Sequence, residues 1–140
     1  MIVENIDTSL MLPLLTQALI ICALAFLMGG SRFVAAQTRK VDMRDIAKTG
    51  RWPGKYGIMS DSYDNQFQMP QLFYVACIAL TLLGAVTPLA LKLAWAFVVI
   101  RFLHMIWHNT KNIIVIRFCI FVVSGIVVTW MLILAFMAAL

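Results

Sequence analysis

Charge is what this sequence lacks. Only 12% of its 140 residues are Asp, Glu, Lys or Arg, against 63% hydrophobic, and its mean hydropathy is +0.94. A soluble domain carries about a quarter charged residues. This balance excludes a soluble single-domain enzyme and a disordered chain, and it leaves a small integral membrane protein. Cysteine is also sparse. Cys22, Cys77 and Cys119 are scattered through apolar stretches with no CxxC spacing, so neither a disulfide framework nor a zinc site is indicated and all three read as small packing residues. Four prolines and seven glycines form no linker, repeat or low-complexity tract, which makes residues 1–140 one domain. The six acidic residues all fall outside the apolar runs. A four-helix drug exporter, which depends on a carboxylate within the membrane, is therefore disfavoured.

Long apolar runs are what the sequence has. Leu10 to Gly30, Asn65 to Leu91, Pro88 to Trp107 and Phe118 to Leu140 are uncharged or nearly so, the third being interrupted by Lys92 and Arg101. About 20 residues at ~1.5 Å each cross a hydrocarbon core of roughly 30 Å. The runs are continuous rather than alternating, and lipid cannot satisfy an open sheet edge, so the expected fold is all-α. It is a membrane four-helix bundle with helices over about 9–37, 62–86, 88–111 and 113–140 and one long connection over about 38–61. Gly29-Gly30 loosens the end of the first helix, and Thr87-Pro88 marks the reversal between the second and third.

The basic residues orient the bundle. Arg32, Arg39, Lys40, Arg44, Lys48, Arg51 and Lys55 lie in or beside the long connection, and Lys111 and Arg117 lie by the third turn on the same side. The opposite side has Lys92 and an acidic N-terminus with Glu4 and Asp7. By the positive-inside rule the long connection is cytoplasmic and both termini face out. An acidic leader does not fit a signal peptide, so the first helix is expected to be retained. The net charge of +5 is then an orientation signal directed at lipid headgroups, and no nucleic-acid partner is expected.

Polar groups inside a span are costly and ask for a partner or a function. Arg101, His104 and His108 stand at i, i+3 and i+7, a spacing that stacks them on one helix face. His104 and His108 alone lack the third ligand a metal would need. A second set, Asn65, Gln68 and Gln71, recurs at i+3 steps where the second helix begins. Asp61 or Ser62 suits its N-cap, and amides at this depth also serve as glue between helices. Both sets and Arg117 fall at the cytoplasmic end. The expectation is one polar, cationic cavity near that leaflet, suited to a water-soluble anion meeting a lipid-soluble partner.

These residues resemble the membrane-associated proteins in eicosanoid and glutathione metabolism, the MAPEG family. Asn65-Gln66-Phe67-Gln68-Met69-Pro70 is similar to the family's second-helix motif, in which Asn is followed three residues on by Glu and then by Pro. Arg101, His104, His108 and Arg117 reproduce the spacing of Arg, His, Tyr and Arg that lines the glutathione site in the prostaglandin E synthase branch. The resemblance implies a homotrimer in a bacterial-type inner membrane, with glutathione bound between adjacent subunits. It implies that Arg117 stabilises the thiolate, and that Asn65, Gln68, Arg101, His104 and His108 bind the cofactor. The activity implied is transfer to, or peroxide reduction of, a lipophilic small molecule. Three positions depart from the family pattern: Asp61 stands where glutathione users place Arg, Gln68 where they place Glu, and Phe118 where the synthase branch places Ser. A second reading follows from them, a non-catalytic or differently liganded protein of the same fold that binds a lipid or another small molecule.

Overall fold

The computed structural model describes residues 6–140, so Glu4 lies outside the described residues. Among these there are six helices and no strand: α1 (Met11–Gln37), α2 (Met43–Thr49), α3 (Gly54–Asn65), α4 (Met69–Leu82), α5 (Pro88–Asn109) and α6 (Ile114–Ala139). α1, α5 and α6 are long and apolar enough to cross a membrane. Only 22% of the most apolar stretch of α1, 33% of that of α5 and 22% of that of α6 is buried within the chain. Phe26, Trp130 and Phe136 are among the large apolar side chains left outside. Such surface is tolerated in lipid or against other copies, not in water.

The second expected helix differs most. It does not run unbroken over 62–86 but is divided at residues 66–68 into α3 and α4, and it ends at Leu82. Pro70 explains the break. Proline has no N–H and its ring clashes with the carbonyl four residues back, here that of Gln66. The chain instead turns with short i→i+3 bonds, Gln66 N–H to the Tyr63 carbonyl at 2.9 Å and Phe67 N–H to the Asp64 carbonyl at 3.0 Å. Pro70 then sits in the first turn of α4, where its missing N–H costs least.

The long connection is also not plain loop, since it holds α2 and most of α3. Asp42 caps α2 by accepting the Arg44 N–H at 2.8 Å, and Gly50 ends it at φ +68°. These short polar helices carry no apolar stripe, so periodicity does not reveal them. α1 runs straight through Gly29-Gly30 rather than loosening there.

The core lies between α4, α5 and α6. Phe73 of α4 stacks on Phe97 of α5, with ring centres 4.4 Å apart and planes at 15°. Ala76, Ala90 and Ala94 are fully buried beside them, and such small side chains let membrane helices approach closely. Thr87 caps α5 by accepting the Ala90 N–H at 3.1 Å, and Gly84 makes the preceding turn at φ +63°. α5 and α6 are joined by a tight turn with Asn112 at φ +47°. That turn sets Arg117, in the first turn of α6, beside the last turn of α5.

Candidate functional site

The break before Pro70 has an electrostatic consequence. In a continuous helix the Asn65 carbonyl would bond to the N–H of residue 69; here, at the end of α3, the only backbone donor among the described residues that reaches it is the Gln68 N–H, at a long 3.5 Å. The Arg101 Nη2 of α5 takes it at 2.8 Å and also donates to Asn65 Oδ1 at 3.0 Å and Gln66 Oε1 at 3.2 Å. A cation at a helix C-terminus satisfies the orphan carbonyl and opposes the negative end of the dipole. Gln17 of α1 completes the cluster by donating to Gln66 Oε1 at 3.4 Å. Arg101, Gln17 and Gln66 are buried. The partners of the guanidinium are thus neutral oxygens, and its Nε and Nη1 are buried without a partner among the described residues.

One helical turn on, His104 is buried and neither ring nitrogen has a partner among the described residues. A further turn on, His108 Nε2 meets Arg117 Nη1 at 2.9 Å, with the ring planes of His104 and His108 nearly perpendicular. The guanidinium can only donate, so His108 accepts at Nε2 as a neutral imidazole with its proton on Nδ1. Arg117 Nη1 also donates to Asn112 Oδ1 at 3.0 Å. Both bonds use one terminal nitrogen, which leaves Nε and Nη2 for a ligand. Below, Asn109 Nδ2 donates to the buried Ser62 Oγ at 2.8 Å and ties α5 to α3.

Asn65, Gln68, His104 and Arg117 converge on a pocket of about 220 Å3, with Ile114, Phe118 and Phe121 of α6 as its apolar wall. One side is cationic and amide-bearing, the other aromatic. Of the residues expected at the site, these four line the pocket. Arg101 and His108 stand behind it, Arg101 holding Asn65 and His108 holding Arg117. Gln71 is exposed and does not line the pocket. The departures separate as well: Gln68 and Phe118 belong to this pocket, whereas Asp61 lines a different one between α1 and α3. Among the described residues, no group of three or more His, Cys, Asp or Glu is placed to hold a metal.

Sequence reasoning missed Gln17, Gln66 and Asn112, and it offered Asp61 or Ser62 as a helix N-cap, whereas both lie inside α3, which is capped at Pro53, and Ser62 instead accepts from Asn109. Gln17 left a signal, as the one amide in the apolar run of α1. Gln66 left none, because its partner comes from another helix.

The sequence model of the MAPEG family matches residues 10–137, nearly the full length, from the start of α1 to within two residues of the end of α6. The chain belongs to the MAPEG family. It is an integral membrane protein of that family, with at least α1, α5 and α6 of spanning length. No curated protein and no solved structure is similar to it. The part of the MAPEG match that bears on chemistry is therefore carried by this chain's own pocket.

Proposed function

We propose that this MAPEG protein binds glutathione in the Arg117 pocket and uses it as a transferase or peroxidase on lipophilic electrophiles. The observation that carries the reading is Arg117 itself, a guanidinium with unspent donors at the junction of a polar wall and an aromatic one. Glutathione supplies a thiol whose anion can add to an electrophile or reduce a lipid hydroperoxide. Free thiols have a pKa of about 8.5 and are mostly protonated at neutral pH; an adjacent guanidinium favours the thiolate. Asn65 suits the peptide part, since its Oδ1 is taken by Arg101 and its amide N–H2 remains to donate. Gln68 offers a neutral amide, and His104 offers one donor and one acceptor in its neutral form. Ile114, Phe118 and Phe121 exclude water from the side by which a lipid-soluble substrate arrives.

At about 220 Å3 the pocket of one chain is smaller than the ~300–1,000 Å3 of a typical small-molecule site. A neighbouring copy would supply the missing wall, which agrees with a homotrimer whose sites lie between subunits. In this reading α3 and α4 together make the fourth span, the segment carrying α2 faces the cytoplasm, and both termini face out. The membrane is a bacterial inner membrane. A second reading, in which the pocket holds a lipid or another small anion without turnover, is favoured by the neutral Gln68 and the apolar Phe118.

The deciding experiment is a thermal-shift titration in detergent with millimolar glutathione, for wild type and Arg117→Ala. Saturable stabilisation of wild type alone is expected. No stabilisation of wild type would sink the glutathione reading and leave the second one.

A further inference from the structure

A second pocket lies on the other side of α3. It measures about 700 Å3 and is bounded by the C-terminal half of α1, the turn after α2, and α3. Arg32 and Arg51 contribute its cations, Asp61 and Asp64 its carboxylates, and Trp52 and Tyr63 its aromatic rings.

Its shape is built rather than incidental. Gly50, at φ +68°, ends α2 and turns the chain toward α3. The carbonyl oxygen of Trp52 lies only 2.5 Å from where a Cβ on Gly57 would stand. Only glycine at 57 lets this turn seat against α3, and seating it brings the Trp52 ring beneath Arg32. The guanidinium carbon of Arg32 is 4.7 Å from the ring centre, a cation–π arrangement. Arg32 Nη2 donates to Ser60 Oγ, while Ser60 uses its own proton on the Tyr56 carbonyl at 2.9 Å. Arg32 is thus held by an aromatic face and a hydroxyl, both neutral, and its Nε is buried without a partner among the described residues. On α3, Asp61 and Asp64 stand three residues apart, hence on one face, and both are exposed.

A fixed cation whose bonds go to neutral groups, in one pocket with two exposed carboxylates, suits a short zwitterion. Its anionic end would meet Arg32 and Arg51, and its cationic end must carry N–H groups to donate to Asp61 and Asp64. Met28, one turn before Arg32, also lines the pocket, and the exposed apolar side chains Phe26, Leu27, Phe33 and Val34 of α1 lie on either side of Arg32 in the sequence. The charged pocket therefore adjoins the part of α1 that exposes apolar side chains. We propose that it binds a phosphoethanolamine group, either as a phospholipid headgroup with its acyl chains along α1 or as a soluble amine-bearing phosphate ester. A choline headgroup carries the same charge but no N–H, so it forfeits the charge-assisted bonds to the carboxylates.

The test uses the full chain in mild detergent, read by native mass spectrometry with phosphatidylethanolamine or phosphatidylcholine of matched acyl chains. Two charge-assisted bonds predict roughly tenfold or greater retention of the ethanolamine lipid. The preference should fall to about one in Asp61→Asn/Asp64→Asn, a pair of exposed isosteric changes that spare the core. Gly57→Ala should weaken both lipids by unseating Trp52. Arg117→Ala should keep the preference, which makes the proposal independent of the glutathione reading. A thermal-shift arm compares soluble phosphoethanolamine with phosphocholine. Selective stabilisation there supports the proposal and names the soluble ester as a ligand, while selectivity confined to the lipids supports it and names the bilayer as the source. Equal retention of the two lipids together with equal stabilisation by the two soluble esters, or a preference that survives the double Asp→Asn change, would overturn it.

Discussion

Arg101 and Arg117 are two guanidiniums at the same end of the bundle, yet the fold uses them differently. Arg101 is fully buried, and its Nη2 bonds close the end of α3 through the Asn65 carbonyl, Asn65 Oδ1 and Gln66 Oε1. Arg117 is half-buried, is steered through Nη1 by His108 and Asn112, and lines a pocket. One arginine repairs a broken helix; the other is aimed by its neighbours and left with donors to spare. A cation placed in apolar surroundings is thus a scaffold or a site according to where its hydrogen bonds go, and its depth alone does not decide which.

Removing each arginine should separate the two roles. Arg101→Met keeps much of the volume but takes the donor from the half-buried Asn65 carbonyl and amide and from the buried Gln66 amide, so it should be the most damaging change, costing on the order of 3–5 kcal/mol. Thermal unfolding in detergent would show it as a fall in Tm of many degrees, whether or not ligand is present. Arg117→Ala should cost no more than about 1 kcal/mol of stability, because the residue is only half-buried, yet abolish stabilisation by glutathione. An unchanged glutathione response in Arg117→Ala would break the comparison.

A smaller effect is expected one step behind the pocket. His108→Leu removes the acceptor that steers Arg117, which is worth about 1 kcal/mol, a five- to tenfold loss of glutathione affinity with little change in Tm. His108→Gln, whose amide oxygen can accept in place of Nε2, should recover much of it. The smallest effect concerns the helix break. Pro70→Ala restores an N–H and permits α3 and α4 to join, so the Asn65 carbonyl gains a competing partner. Arg101→Met should then cost about 1 kcal/mol less in the Pro70→Ala background than in wild type, which a double-mutant cycle on Tm or denaturant midpoint would reveal.

How much of this could be read from the sequence follows the same division. The stripe of Arg101, His104 and His108 was legible because i, i+3 and i+7 impose a common face whatever the helix packs against, and all three are buried. Arg117 was legible as a cation at the start of an otherwise uncharged helix. The roles of Arg101 and His108 as supports were not, because they depend on which neighbour occupies the space in front of them. The break at 66–68 left its mark in Pro70, but hydropathy runs smoothly through the following residues and hides it. α2 and the start of α3 had end signals in Asp42, Gly50 and Pro53; lacking an apolar face, they looked like connection. Asp61 read as a departure from the glutathione motif, and the fold turns it toward the other pocket.

In the glutathione reading, Arg117 and not Arg101 meets the ligand and favours its thiolate. The most direct measurement is the ultraviolet thiolate absorbance of glutathione added to the purified protein at neutral pH, in wild type, Arg117→Ala and Arg101→Lys. A saturable thiolate band is expected in wild type, lost in Arg117→Ala and retained in folded Arg101→Lys. No band in wild type, or an equal band in Arg117→Ala, would contradict it.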